Sequence, residues 1–85
     1  MKNFSAKIIV KMKPTIKDIK GLTLEHAVKS IMDVRNLSCH VGSVYFFKFA
    51  AKNQIEALHT VEKTAQEILS NDVIETYEIR SLEEV

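Results

Sequence analysis

The sequence predicts an α+β domain: a two-layer sandwich in the order β-α-β-β-α-β, ferredoxin-like, with an antiparallel sheet and two helices on one of its faces. Three observations predict it. The first dozen residues alternate apolar and polar with period two. Two later stretches carry apolar residues at helical spacing. Short alternating runs between and after them, joined by brief connections, supply the remaining strands.

The elements follow in order. Phe4, Ala6, Ile8, Val10 and Met12 fall on one face of the first strand, with Ser5, Lys7, Lys11 and Lys13 on the other. Pro14 ends that strand because it cannot donate to the ladder. Asp18 is placed to cap the first helix by accepting free backbone N–H groups, and Leu24, Ala27, Val28 and Ile31 form its stripe. Leu37, Cys39 and Val41 alternate with Ser38 and His40, which reads as a second strand. Gly42-Ser43 then reads as a tight turn, and Tyr45, Phe47 and Phe49 as the inward face of a third. Asn53 and Glu56 have capping-box spacing, and Ile55, Leu58, Val61, Ala65, Ile68 and Leu69 make the stripe of the second helix. Asn71 suits a left-handed helix end. In a last strand Val73, Glu75, Tyr77 and Ile79 share one face, and Ile74, Thr76 and Glu78 the other.

Residues 1–85 read as a single domain, with residues 1–3 and 81–85 expected to fray. A chain this short buries only about 60–65% of its unfolded surface, so association with other chains is a common remedy. The net charge of +1 provides no field for nucleic acid or an anionic membrane, so neither is expected as a partner. The apolar stretch of residues 8–10 is too short for a signal peptide core, and the expected compartment is the cytoplasm.

Chemistry-bearing residues are sparse. The lone Cys39 cannot form an intramolecular disulfide, and His26, His40 and His59 have no metal-ligand spacing with it. Cys39 and His40 are strand neighbours and point to opposite faces, so the imidazole cannot activate the thiol; a small core residue is the simpler assignment. Two glycines do not build a phosphate-cradling loop, and the Asp18/Glu25 and Glu62/Glu67 pairs are ordinary helix-face charge.

The uncovered sheet face is more informative. It would carry Lys7, Ile9, Lys11, His40, Val44, Phe46, Lys48, Ile74 and Thr76, more apolar than a solvated face needs. The expectation is a subunit interface, with the chain a homodimer or higher homo-oligomer. RNA recognition by such a sheet requires several outward aromatics, and only Phe46 qualifies. A ligand sensor would need convergent polar groups. An acid/base enzyme would need a buried histidine or carboxylate, whereas His40 sits on the open face.

The run Ile68-Leu69-Ser70-Asn71-Asp72-Val73-Ile74-Glu75-Thr76-Tyr77 resembles the PurS family pattern of a leucine-ending helix followed by Asn-x-Val-Ile-Glu-x-Tyr. Val10-Lys11-Met12-Lys13-Pro14 is similar to that family's first strand, and Asp18-Ile19-Lys20-Gly21 to its helix start, with Ile19 where proline is usual. His40-Val41-Gly42-Ser43 falls where the family reads Arg-x-Gly-Lys, so two basic residues are replaced. PurS is the small subunit of phosphoribosylformylglycinamidine synthase. The resemblance implies a non-catalytic subunit that joins a synthetase subunit (PurL) to a glutaminase subunit (PurQ), so that ammonia passes between their sites in purine synthesis. It also implies that ATP and Mg are used by the complex and that this subunit binds no cofactor. The candidate contact residues are His40, Gly42, Ser43, Phe46, Asn71, Ile74, Glu75 and Thr76, with no catalytic or metal-binding residue. The alternative function is a ferredoxin-like ligand-sensing or RNA-binding module.

Overall fold

A computed structural model describes residues 1–85. Strand β1 (Lys2–Met12) is the centre of a three-stranded antiparallel sheet of order β2-β1-β3, flanked by β2 (Gly42–Ala51) and β3 (Glu75–Glu84). Helix α1 (Ile19–Ile31) links β1 to β2, and α2 (Gln54–Thr64) links β2 to β3 through a π turn at Ala65–Leu69. The expected α+β class with an antiparallel sheet holds.

The alternation of β1 sets the two faces. Phe4, Ala6, Ile8 and Val10 are buried beneath Ala57, Val61 and Ala65 of the α2 region. Small residues on the helix let it approach closely, and the larger strand residues fill the space beneath. Phe4 stacks on Phe49 with ring centroids 6.1 Å apart. Register places Phe49, Phe47 and Tyr45 of β2 opposite Phe4, Ala6 and Ile8, and Ile79 and Tyr77 of β3 opposite Ile8 and Val10. Asn53 caps α2 by accepting from the Glu56 N–H at 2.9 Å.

The chain ends, expected to fray, pair instead. The register shifts between Lys7 and Ile8, so that Lys7 faces Ser81 while Ile8 faces Ile79, leaving Arg80 as the extra residue. A bulge of this kind resets side-chain parity, and it turns Leu82 inward opposite Ala6. The Val85 N–H donates to the Asn3 carbonyl at 2.8 Å, and Lys2 lies 3.6 Å from Glu84.

Other differences concern the two connections. Residues 37–41 are extended but pair with no strand of the sheet. They run along α1, where the Cys39 N–H donates to Glu25 Oε1 at 2.7 Å and the Val41 N–H to Asp18 Oδ2 at 2.8 Å. Gly42-Ser43 therefore opens β2 rather than forming a turn. Gly42 is needed for close approach, since a Cβ there would sit 2.7 Å from the Val10 carbonyl oxygen. Gly21 is needed likewise, because a Cβ would collide with the Cys39 carbonyl oxygen. The stripe of α2 is wider than its buried face: Ile55, Leu58 and Ile68 are exposed.

Helix α1 barely touches the strands or α2 and projects beyond the end of the sheet. Gly21 is its one buried residue. The radius of gyration is 16.7 Å, against about 12 Å for a compact chain of this length. The chain is an elongated body with a core under α2 and an arm at one end.

Candidate interface surfaces

The eight candidate residues fall into two groups, one at an end of the sheet and one on its outer face. The first gathers at the sheet end near the arm. There Lys11 pairs with Gly42, and Met12 with Glu75, so the start of β2 and the start of β3 meet across the last residues of β1. Gly42, Ser43 and Glu75 line a hollow of about 310 Å³ together with Asp18, Lys17 and Lys20. His40 stands beside it, with Nδ1 4.0 Å from Asp18 Oδ2 and Nε2 3.3 Å from Ser38 Oγ. Sequence reading did not anticipate this convergence, which depends on strand register.

Asn71 and Glu75 build the turn that borders the hollow. The Glu75 carboxylate accepts from the Asn71 N–H at 2.9 Å, and the Glu75 N–H donates to the Asn71 carbonyl at 2.7 Å. Asn71 Oδ1 accepts from the Val73 N–H, an Asx turn. These bonds explain why a glutamate of inward parity is retained at the start of β3: it closes the turn. Asn71 is not left-handed; Asn36, with φ of 56°, is the residue that is. The π turn removes the need for a left-handed end, because both the backbone N–H and the hydroxyl of Ser70 bond the Ala65 carbonyl. Val73, expected on the core face, is 76% exposed at the turn's tip. Ile74 precedes β3 instead of lying within it, is half-buried, and its carbonyl accepts from the Lys13 N–H at 2.8 Å.

The second group is the outer sheet face. Phe46 sits opposite Lys7 and Thr76 opposite Lys11, with Ile9 paired between Val44 and Glu78. Phe46 is 75% exposed, and the Lys7 ammonium lies 5.7 Å from its ring centroid. A large aromatic held out to water beside Val44 and Ile9, ringed by Lys7, Lys11 and Lys48, has the composition of a contact surface with an apolar centre and a polar rim.

Asp18 is the residue whose role the sequence half revealed. Its Oδ1 accepts from the Gly21 N–H at 2.8 Å, the expected cap, while Oδ2 reaches 23 residues along the chain to Val41. The bond from Val41, then that from Gly21, holds the carboxyl below its ordinary value of 3.8. Nothing local in the sequence signals the second bond. No three His, Cys, Asp or Glu side chains gather in metal-holding proximity, and no helix is long and apolar enough to cross a membrane.

A small α+β chain with a modest core and large apolar side chains open to solvent has the anatomy of an assembly subunit. The comparisons give that class a family. Residues 5–83 match the family PurS, phosphoribosylformylglycinamidine (FGAM) synthase, and the chain belongs to it. It is 28% identical over 79 residues to the phosphoribosylformylglycinamidine synthase subunit PurS of Thermotoga maritima, covering 93% of this chain and 96% of that one. Among solved structures it resembles Thermus thermophilus PurS with a TM-score of 0.83, at 27% identity over 98% of both chains. It also resembles a chain in the structure of PurLQS from Thermotoga maritima, with a TM-score of 0.84, at 26% identity over the whole of both chains.

Proposed function

We propose that this chain is the small subunit of a glutamine-dependent phosphoribosylformylglycinamidine synthase and joins a synthetase subunit (PurL) to a glutaminase subunit (PurQ). The observation that carries this reading is full-length similarity to a chain of the Thermotoga maritima PurLQS structure. Two separate contact surfaces, the sheet end around Gly42 and Glu75 and the outer face around Phe46, suit a subunit that must touch more than one partner. Ammonia released into water is mostly protonated and unreactive, so a junction that excludes water preserves the nucleophile. ATP and Mg serve the synthetase in this scheme, and the small subunit contributes position alone. Self-association into a homodimer or larger belongs to the same reading: the chain is small, and large apolar side chains such as Phe46 and Ile31 lie open.

The test is assembly. The chain mixed with the synthetase and glutaminase subunits of its own organism is expected to sediment as one complex containing all three. Phe46→Lys should weaken that complex at least roughly tenfold, as loss of a central aromatic contact does, while leaving the melting temperature of the free chain nearly unchanged. A complex that forms equally well without this chain would overturn the reading.

A further inference from the structure

The hollow at the sheet end carries positive charge that nothing in the chain uses. Residues 11–20 hold four of the chain's 12 lysines and arginines, against one acid, Asp18. The fold gathers three of the four. Lys11 from the end of β1, Lys17 from the connection and Lys20 from the first turn of α1 line the same hollow of about 310 Å³. None of them is in an ion pair, since the chain's lysine and arginine pairs are Lys2–Glu84 and Arg80–Glu78. The two carboxylates beside them are already engaged: Asp18 accepts from Gly21 and Val41, and Glu75 from Asn71. Unpaired like charges drawn round one concavity repel each other, and a bound anion relieves that repulsion. Gly42 keeps the wall beside Lys11 bare, because a Cβ there would lie 3.2 Å from that of Lys11. Ser43 adds an exposed hydroxyl donor.

We propose that this hollow binds a phosphate monoester, a small phosphorylated molecule whose phosphate lies among Lys11, Lys17 and Lys20. The site goes beyond the joining of two subunits and gives the small subunit a ligand of its own. Lysine ammoniums are point charges with freely turning donors, which suit a tetrahedral phosphate, whereas a planar carboxylate is matched by the arginine fork. A phosphate near its dianionic form also asks for more than one cation, and the hollow offers three from three different segments. Val10, Ile19 and Val41 supply an apolar wall beside them. An apolar wall with a few converging polar groups is the composition of a small-molecule site, and the volume falls at the lower end of the usual range of about 300–1,000 Å³. The wall favours an esterified phosphate over the bare ion, which would leave it uncovered. Phe46 does not line the hollow, so the site and the outer contact face can be separated by mutation.

Calorimetric titration and amide chemical shifts of the full chain test the site, with ribose 5-phosphate, inorganic phosphate and ribose as probes. Ribose 5-phosphate is expected to bind with a Kd below about 1 mM at low salt, inorganic phosphate more weakly, and ribose not at all. The shifts should centre on Lys20, Gly42 and Ser43. A variant carrying Lys17→Met and Lys20→Met should lose at least about tenfold in affinity, as removal of a charge-assisted bond does. Its melting temperature should not change, because both positions are exposed. Lys63→Met removes an exposed cation of α2 that does not line the hollow, and should leave binding unchanged. The paired lysine variant should still assemble with the synthetase and glutaminase subunits, which separates this proposal from the bridging role. No binding of ribose 5-phosphate, equal affinity for ribose 5-phosphate and inorganic phosphate, or equal losses in the Lys63→Met and paired variants would each overturn it. Loss of the three-subunit complex in the paired variant, with no ribose 5-phosphate bound by the native chain, would assign the hollow to an acidic segment of a partner instead.

Discussion

Ile8→Ala is expected to lower the stability of the free chain by about 2–5 kcal/mol, the usual range for removing a large buried aliphatic side chain. Ile8 is fully buried at the centre of β1, between Tyr45 and Ile79 and against Val61 and Ala65. The core has few large side chains, with Phe4 and Ile8 the bulkiest that are fully buried. A chain of this length has roughly 4–13 kcal/mol of stability in total, so the substitution removes a large share. Urea denaturation checks this. A loss under about 1 kcal/mol would mean that the layer between β1 and α2 is not the main core. Ile31→Ala, at a position 81% exposed in the single chain, should by contrast leave monomer stability almost unchanged.

Acidification is expected to release the arm before it dissolves the sheet. The Asp18 carboxyl titrates below its ordinary value in the folded chain because it accepts the Val41 and Gly21 N–H groups. A depressed folded value means that the stabilisation is complete above the unfolded carboxyl's value near 3.8, and is lost as pH falls through the lower folded value. Asp18→Ala removes both acceptors at every pH. Amide exchange at Val41 and Gly21 should accelerate at least roughly tenfold in that variant at neutral pH, as local opening of the segment does. Exchange at Ile8 should stay slow. The variant's melting temperature should also depend less on pH below about 4 than that of the native chain. Equal protection of Val41 in both proteins would show that Asp18 does not hold the arm.

Where the sequence was legible, one physical signal dominated. The alternation of β1 reports a single buried face, and the structure buries it; of the stripe read in the second helix, Val61 and Ala65 are buried while Ile55, Leu58 and Ile68 are exposed, and Ala57, outside that stripe, takes their place in the core. The Asp18 and Asn53 caps were legible because their partners lie three residues away. Residues 37–41 alternate for the reason a strand does, with Leu37, Cys39 and Val41 shielded and Ser38 and His40 exposed, but the shielding surface is α1. Period two reveals that one side is covered and not what covers it. The position of α1 was illegible because the bonds that fix it, from Cys39 to Glu25 and from Val41 to Asp18, span 14 and 23 residues and leave no local signal. The turn at residues 71–75 was misread because Val73 and Ile74 look like strand residues. Asn71 and Glu75 override that preference with backbone-directed bonds. The candidate residues were found by pattern and resemblance, whereas the meeting of Gly42 with Glu75 across β1 required the register.

The most direct measurement of the bridging role is turnover of the synthetase subunit with the glutaminase present, fed either with glutamine or with added ammonium, in the presence and absence of this chain. If the chain joins the two sites, its removal lowers glutamine-driven turnover to a small residue and leaves ammonium-driven turnover nearly intact. Its return restores the first, and the Phe46→Lys variant restores it only in part. Glutamine-driven turnover that is indifferent to the chain, or an equal loss with both nitrogen sources, would contradict a role in bringing the two sites together.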